Sequence, residues 1–353
     1  MNKLVGAIAL GFAVAGSFGE AQNEGAGTKT EFWMGNGVAA VNSFLAHKDK
    51  IDILSPTWYQ IDETGLVTGE PQPVVLKAAK QAHITIIPLF AIFDHVKIHQ
   101  LLGDPKAQDE MNKAFVRECK ENGYDGINYD MEDVMWTDRD ALSAMVKKTA
   151  DVMHKEHLQV QIDVVPNAPG HAGETAFGKW IFEEWRGGYD LKALGDAVDM
   201  LCLMTYDQHT HWTTPGPVGG WIWTTENLEY ALKFVPREKL SLGIAIYGYR
   251  WYTGDPGLGK AEKRPNETSD YTSGSEIALL RERFAPQVQW DESDHTPWFY
   301  YYRDQMREWV FWTDKRAFSD RYLLATKNKL GGICSWDLGD EDPTIWDAMP
   351  NRK

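Results

Sequence analysis

The chain has 353 residues, long enough for one large α/β domain or two smaller ones. Its formal net charge of −15 works against phosphate backbones and anionic membrane surfaces, which are gripped by Lys and Arg, so neither nucleic acid nor membrane is expected as a partner. The 15 Trp, 14 Tyr and 14 Phe offer many flat apolar faces of the kind that stack on sugar rings, and a neutral polysaccharide is compatible with the charge.

The first residues follow an export pattern. Lys3 supplies a positive start, Leu4 to Phe18 form an uncharged apolar run, and Gly19-Glu20-Ala21 places small residues where a signal peptidase reads. Residues 1–21 are therefore expected to be a signal peptide, with a secreted (extracellular or periplasmic) domain over 22–353. The apolar run is shorter than the ~20 residues a membrane span needs.

Strand-type runs then recur at Glu31–Met34, Asp52–Leu54, Ile84–Phe90, Gly126–Met131, Val160–Val165, Met200–Thr205, Leu242–Ala245 and Gly332–Ser335. Several are continuous apolar runs, as strands covered on both faces should be. Between them lie helix-period segments: Leu142, Met145, Val146, Thr149 and Val152 mark one face, with Asp138 placed to cap it. Eight strands alternating with helices predict an α/β fold of the (β/α)8 TIM-barrel type. One stretch breaks the alternation. Residues 252–312, rich in Gly, Pro and charge and then aromatic, read as a small α+β insertion between strands seven and eight, with Glu308–Trp312 as a strand. The chain is expected to act as a monomer. Cys119, Cys202 and Cys334 are odd in number; Cys202 and Cys334 lie in apolar runs and read as buried small hydrophobes, so no disulfide is expected.

The chemistry concentrates in Asp125-Gly126-Ile127-Asn128-Tyr129-Asp130-Met131-Glu132. On a strand Asn128, Asp130 and Glu132 share one face, which in a barrel points inward. Glu132 then sits at the carboxyl end, where barrel sites are built. Two inward acids two residues apart repel and lose hydration, which raises at least one pKa and makes a Glu a proton donor near neutral pH. Other readings of the same acids are a binding site without turnover, and a metal site joined by His209 and His211.

This octapeptide resembles the catalytic strand of glycoside hydrolase family 18, the chitinases and their relatives, whose pattern is D-G-x-D-x-D-x-E. Leu203-Met204-Thr205-Tyr206-Asp207 resembles the family's sixth strand, Leu242–Gly248 its seventh, and Gly331–Trp336 its eighth. Asp52–Tyr59 and the Asn at 128 resemble the branch holding spore-cortex-lytic glucosaminidases and lysosomal chitobiase. The resemblance implies an enzyme that cuts β-1,4 bonds next to N-acetylglucosamine, by substrate-assisted retaining catalysis and without cofactor or metal. Chitin oligosaccharides come first as partner, peptidoglycan second and the N-glycan core third; a lectin on the same barrel is the rival of another class. Glu132, Asp130 and Tyr206 are implied as catalytic, and Asn128, Met204, Asp207 and Trp336 as substrate-binding. Trp58 and Trp136 are candidates for subsite walls, as are Phe90, Trp212, Trp221, Trp223, Tyr249, Trp251 and Trp298. Most family members carry a third Asp at position 128. Asn there removes one like charge and is expected to donate its amide to Asp130.

Overall fold

The computed structural model describes residues 27–211, 213–252 and 269–352. The signal-peptide residues and Trp212 lie outside them, as do residues 253–268 of the predicted α+β stretch.

In chain order the strands are β1 (Lys29–Met34), β2 (Ile53–Pro56), β3 (Tyr59–Ile61), β4 (Val67–Gly69), β5 (Thr85–Ile86), β6 (Leu89–Phe93), β7 (Gly126–Glu132), β8 (Gln159–Val164), β9 (Met200–Leu203), β10 (Leu240–Ala245), β11 (Gly248–Trp251), β12 (Ser269–Thr272), β13 (Gln289–Asp291), β14 (Thr296–Arg303), β15 (Met306–Trp312) and β16 (Gly332–Trp336). All eight predicted runs contain strand. The predicted third run is broken at Ile87-Pro88 into β5 and β6, because proline has no N–H to give a ladder. The β3–β4 hairpin was not expected.

Eleven strands form one curled sheet in the order β4-β3-β6-β7-β8-β9-β10-β16-β1-β2-β5. Its pairs are parallel except β3–β4. β5 pairs with β2, while β6, in the same run of chain, pairs with β7. With helices between successive strands, this is a TIM-barrel-like α/β fold. The helices cover the outer face. Arg139–Lys155 buries Leu142, Met145, Val146 and Thr149, as their spacing predicts. Asp138 stands at its N-cap position but does not cap it; its carboxylate meets His99 Nδ1 at 2.8 Å instead.

Between Ala245 and Lys315 the chain builds a second, antiparallel sheet of five strands, ordered β12-β11-β15-β14-β13, with the helix Gly274–Phe284. It starts at Gly248, a few residues before the expected boundary, so that Tyr249 and Trp251 belong to it. The helix is held by a full capping box, Ser273 with Glu276.

The cysteine expectation is corrected. Cys202 and Cys334 form a disulfide, Cα atoms 6.4 Å apart, and Cys119 is the free thiol. β9 and β16 both flank β10. Gly243 is the residue of β10 in register with Cys334.

Candidate active site

Along β7 the residues Asn128, Asp130 and Glu132 alternate with Ile127, Tyr129 and Met131, the latter three fully buried under the helices. Asp130 and Glu132 reach a cavity of about 390 Å³ at the carboxyl end of the strands. That volume lies in the usual range for small-molecule sites, about 300–1,000 Å³.

The end of β9 is shaped by two contacts. The Thr205 hydroxyl donates to the Gly243 carbonyl at 2.6 Å, and the Tyr206 N–H donates to the Met204 carbonyl at 2.8 Å. Gly243 is required here, since a Cβ on it would stand 2.5 Å from the Leu203 carbonyl oxygen. The chain therefore turns over β10, and Asp207 takes the left-handed region at φ +55. The turn presents Met204, Tyr206 and Asp207 to the cavity. Asp207 accepts from the Tyr247 hydroxyl at 2.5 Å and the Tyr249 hydroxyl at 3.4 Å. Trp336, closing β16, lines the cavity with Trp33, their rings 5.9 Å apart; Trp33 also meets Tyr206 edge-on at 6.3 Å.

The electrostatics follow from carboxyls kept from water. Burial pushes Asp130 up to about 7. Burial, then Asp130, Asp207 and Asp133, push Glu132 well above the carboxylate range, while a hydrogen bond from Trp185 works against them. These shifts favour the protonated form of Glu132, the state a general acid needs. Burial raises Asp207 too, with the Tyr247 and Tyr249 hydroxyls opposing.

Asn128 departs from expectation. It is fully buried, and its amide donates to both oxygens of Asp163, at 3.2 and 3.0 Å, rather than to Asp130. The reason is register: β8 lies beside β7 with Asp163 opposite Asp130. Asp163 lines the cavity and was missed, although Gln161 and Asp163 alternate with Val160, Ile162 and Val164 in a pattern that puts both inside. Trp33 carries a similar signal, two residues after Glu31 on β1. Trp185 lies in a π-turn, Phe182–Arg186, whose sequence has no period to read.

The aromatic candidates divide. Among those described, Tyr249 and Trp336 line the cavity. Trp58 is not a cavity wall: it is buried, 6.0 Å from the Tyr124 ring, because the chain turns after Pro56 into β3 and takes the indole into the core. Phe90 and Trp251 are likewise core residues, Trp221 stacks on His295, and Trp298 stacks within the second sheet. Trp136 is 48% exposed on a 3-10 turn and is not part of the cavity lining. His209 Nδ1 lies 3.0 Å from the Thr214 carbonyl, and neither it nor His211 lines the cavity. No group of three or more His, Cys, Asp or Glu among the described residues is placed to hold a metal ion.

A barrel-like sheet with carboxyls gathered under an aromatic cavity at its carboxyl end defines the class, an enzyme acting on carbohydrate. Residues 71–342 match glycosyl hydrolases family 18, and the chain belongs to that family as a glycoside hydrolase. It is 22% identical over 319 residues to YvbX, an uncharacterized glycosylase of Bacillus subtilis, covering 88% of this chain and 87% of that one. It is 24% identical over 300 residues to the cortical fragment-lytic enzyme of the same organism, covering 82% of this chain but only 64% of the relative. In fold it is similar to a chitinase from Chromobacterium violaceum (TM-score 0.78, 24% identity, 91% of this chain and 97% of the other). It is similar also to the spore cortex-lytic enzyme SleL of Bacillus megaterium (TM-score 0.80, 20% identity, 94% and 76%).

Proposed function

We propose that this glycoside hydrolase is an exported enzyme that cleaves β-1,4 bonds next to N-acetylglucosamine in chitin or its oligosaccharides, with Glu132 as acid and then base. The observation that carries the reading is the pairing of Glu132 with Asp130 beneath one aromatic cavity that also holds Tyr206 and Trp336. In this reading the sheet closes through residues 85–93 into an eight-unit barrel, and the second sheet is an insertion that walls one side of the groove. Export by residues 1–21 agrees with the buried disulfide, since such bonds persist in oxidising compartments. The enzyme works as a monomer without cofactor or metal.

Glu132 protonates the leaving glycosidic oxygen while the substrate's own 2-acetamido oxygen attacks the anomeric carbon. Asp130 holds the acetamido N–H and faces the positive charge of the oxazolinium ion; the Tyr206 hydroxyl aims the acetamido oxygen, and Trp336 packs under the sugar. Water, deprotonated by Glu132, then opens the ion with retention. Asn128 acts one step back, through the carboxyl it binds, and Met204 and Asp207 complete the wall. Peptidoglycan is the second reading, favoured by the likeness to a cortical fragment-lytic enzyme.

Purified protein incubated with chitin oligosaccharides and with peptidoglycan, products identified by mass, separates the two substrates. Oligosaccharides bearing 2-hydroxyl in place of 2-acetamido test the mechanism: they should resist cleavage, and comparable turnover on them would sink it.

A further inference from the structure

The proposed mechanism leaves one carboxyl in the cavity unused. Asp163 is 2% exposed and sits on β8 directly opposite Asp130, itself 5% exposed. On adjacent parallel strands, residues in register on the same face stand side by side. Asp163 lines the same cavity as Asp130 and Glu132. Its two oxygens are both held by the Asn128 amide nitrogen, at 3.2 and 3.0 Å. Asp130 Oδ1 is buried with no protein hydrogen-bond partner.

Two carboxyls side by side away from water cannot both ionise without large cost, and a single proton between them removes the repulsion. Asn128 cannot carry that proton; its amide can only fix the carboxyl beside it. We infer that Asp163 is the proton-sharing partner of Asp130, with Asn128 anchoring Asp163 so that the two carboxyls hold one proton between them. The inference rests on the glycosidase reading of the cavity and adds a positioning residue to it, one that acts on the reaction through Asp130.

The surroundings agree. The ionisable groups pressing on Asp163 are Asp130, then Glu31 on β1 and Glu132 on β7, with Tyr189 and Tyr206 also facing it. No cation pairs with it among the described residues. Burial first, and those acids next, lift Asp163 well above the carboxylate range, with the Asn128 amide opposing. With one proton on Glu132 and one shared by the pair, the three carboxyls carry a single negative charge. That charge faces the cation that develops on the sugar. As Glu132 gives its proton to the leaving oxygen, the shared proton is free to move toward Asp163, whose place the Asn128 amide fixes, leaving the negative charge on Asp130 to face the oxazolinium ion.

The test compares Asp163→Asn with the reciprocal exchange Asn128→Asp/Asp163→Asn, both near-isosteric, in the full chain. Asp163→Asn removes a like charge beside Asp130 and Glu132 and offers them an amide, so the alkaline limb of the pH–rate profile should move to lower pH. Turnover should fall by roughly 10- to 100-fold, less than the ~10² to 10⁴ expected for loss of the general acid itself, because Asp163 acts through Asp130, with KM little changed. The exchange returns one acid and one amide to the same pair of positions and should regain most of that loss. A profile for Asp163→Asn that superimposes on the parent's overturns the inference, as does an exchange variant that melts normally yet is no more active than Asp163→Asn. If Asp163→Asn fails to fold, the exchange decides alone: near-parent turnover upholds the inference, loss with a native melt overturns it. Infrared titration of buried protonated carboxyls gives a readout independent of substrate. In Asp163→Asn the remaining carboxyl beside position 163 should titrate at lower pH than in the parent; an unchanged midpoint overturns the proton sharing. Absence of parent turnover on chitin oligosaccharides and peptidoglycan would count against the proposed function, and the infrared result would still decide this one.

Discussion

The disulfide offers a perturbation whose size can be worked out. Cys202 and Cys334 are separated by 132 residues, so the bond constrains a very long loop of the unfolded chain. Closing a loop of that length removes about 17 cal/mol/K of chain entropy, or about 5 kcal/mol at 25 °C, at the upper end of the roughly 2–5 kcal/mol found when native disulfides are removed. Cys202 is 3% exposed and Cys334 fully buried, so reductant should not reach them until the protein unfolds. Reduced protein is therefore prepared by unfolding and refolding in reductant, and urea unfolding is followed by tryptophan fluorescence in both forms. With a slope of about 3 kcal/mol/M, the reduced form should unfold between roughly 1 and 2 M lower in urea. Alkylation of denatured, unreduced protein should label one thiol, Cys119. Three labelled thiols, or coincident unfolding curves, would refute the bridge or its role.

Other substitutions read the proposed site and the buried acids. Glu132→Gln keeps the shape but removes the acid, and turnover should fall by ~10² to 10⁴ with binding of oligosaccharide retained in calorimetry; unchanged turnover would move the acid elsewhere. Tyr206→Phe should lower kcat more than it raises KM, because its hydroxyl matters most as charge develops; a pure KM effect would make it a ground-state contact. Glu31, fully buried and pushed up to about 7, is protonated in the fold but ionised above about 4.5 when unfolded. A raised acid contributes stability that is complete below 4.5 and lost as pH rises through 7, here about 3 kcal/mol for one group. Glu31→Gln should therefore unfold at higher urea than the parent at pH 8 and show no such gain at pH 4.5; equal midpoints at both pH values would show that Glu31 is not held neutral.

What the sequence discloses and what it hides follow from one distinction. Alternation within a strand is local, so the inward set Asn128, Asp130 and Glu132 is legible, as is the helix face at Leu142, Met145 and Val146. Register between strands is not local. Alternation along β8 puts Asp163 inside, but only when β8 is laid beside β7 does it meet the Asn128 amide. The cysteines fail for the same reason: two apolar strands give no sign that both flank β10. Trp58 fails differently. It stands where a strand should deliver it to the cavity, but the β3–β4 hairpin redirects the chain, and nothing periodic marks a hairpin of three-residue strands.

The second sheet has a closer tie to the site than its place in the sequence suggests. Only Ile246 and Tyr247 separate β10 of the curled sheet from β11 of the second sheet. Tyr247 and Tyr249 then hold Asp207 from that side. Tyr271, on β12, stacks on Tyr247 at 4.4 Å and donates to Asp337 at 3.2 Å, the residue after Trp336. The second sheet is therefore tied both to Asp207 and to the end of β16 that carries Trp336. Asp207 in turn is among the charges that raise Glu132, so the position of the sheet bears on the protonation of the proposed acid. Tyr247 and Tyr249 thus both line the cavity and hold one of the acids that act on Glu132.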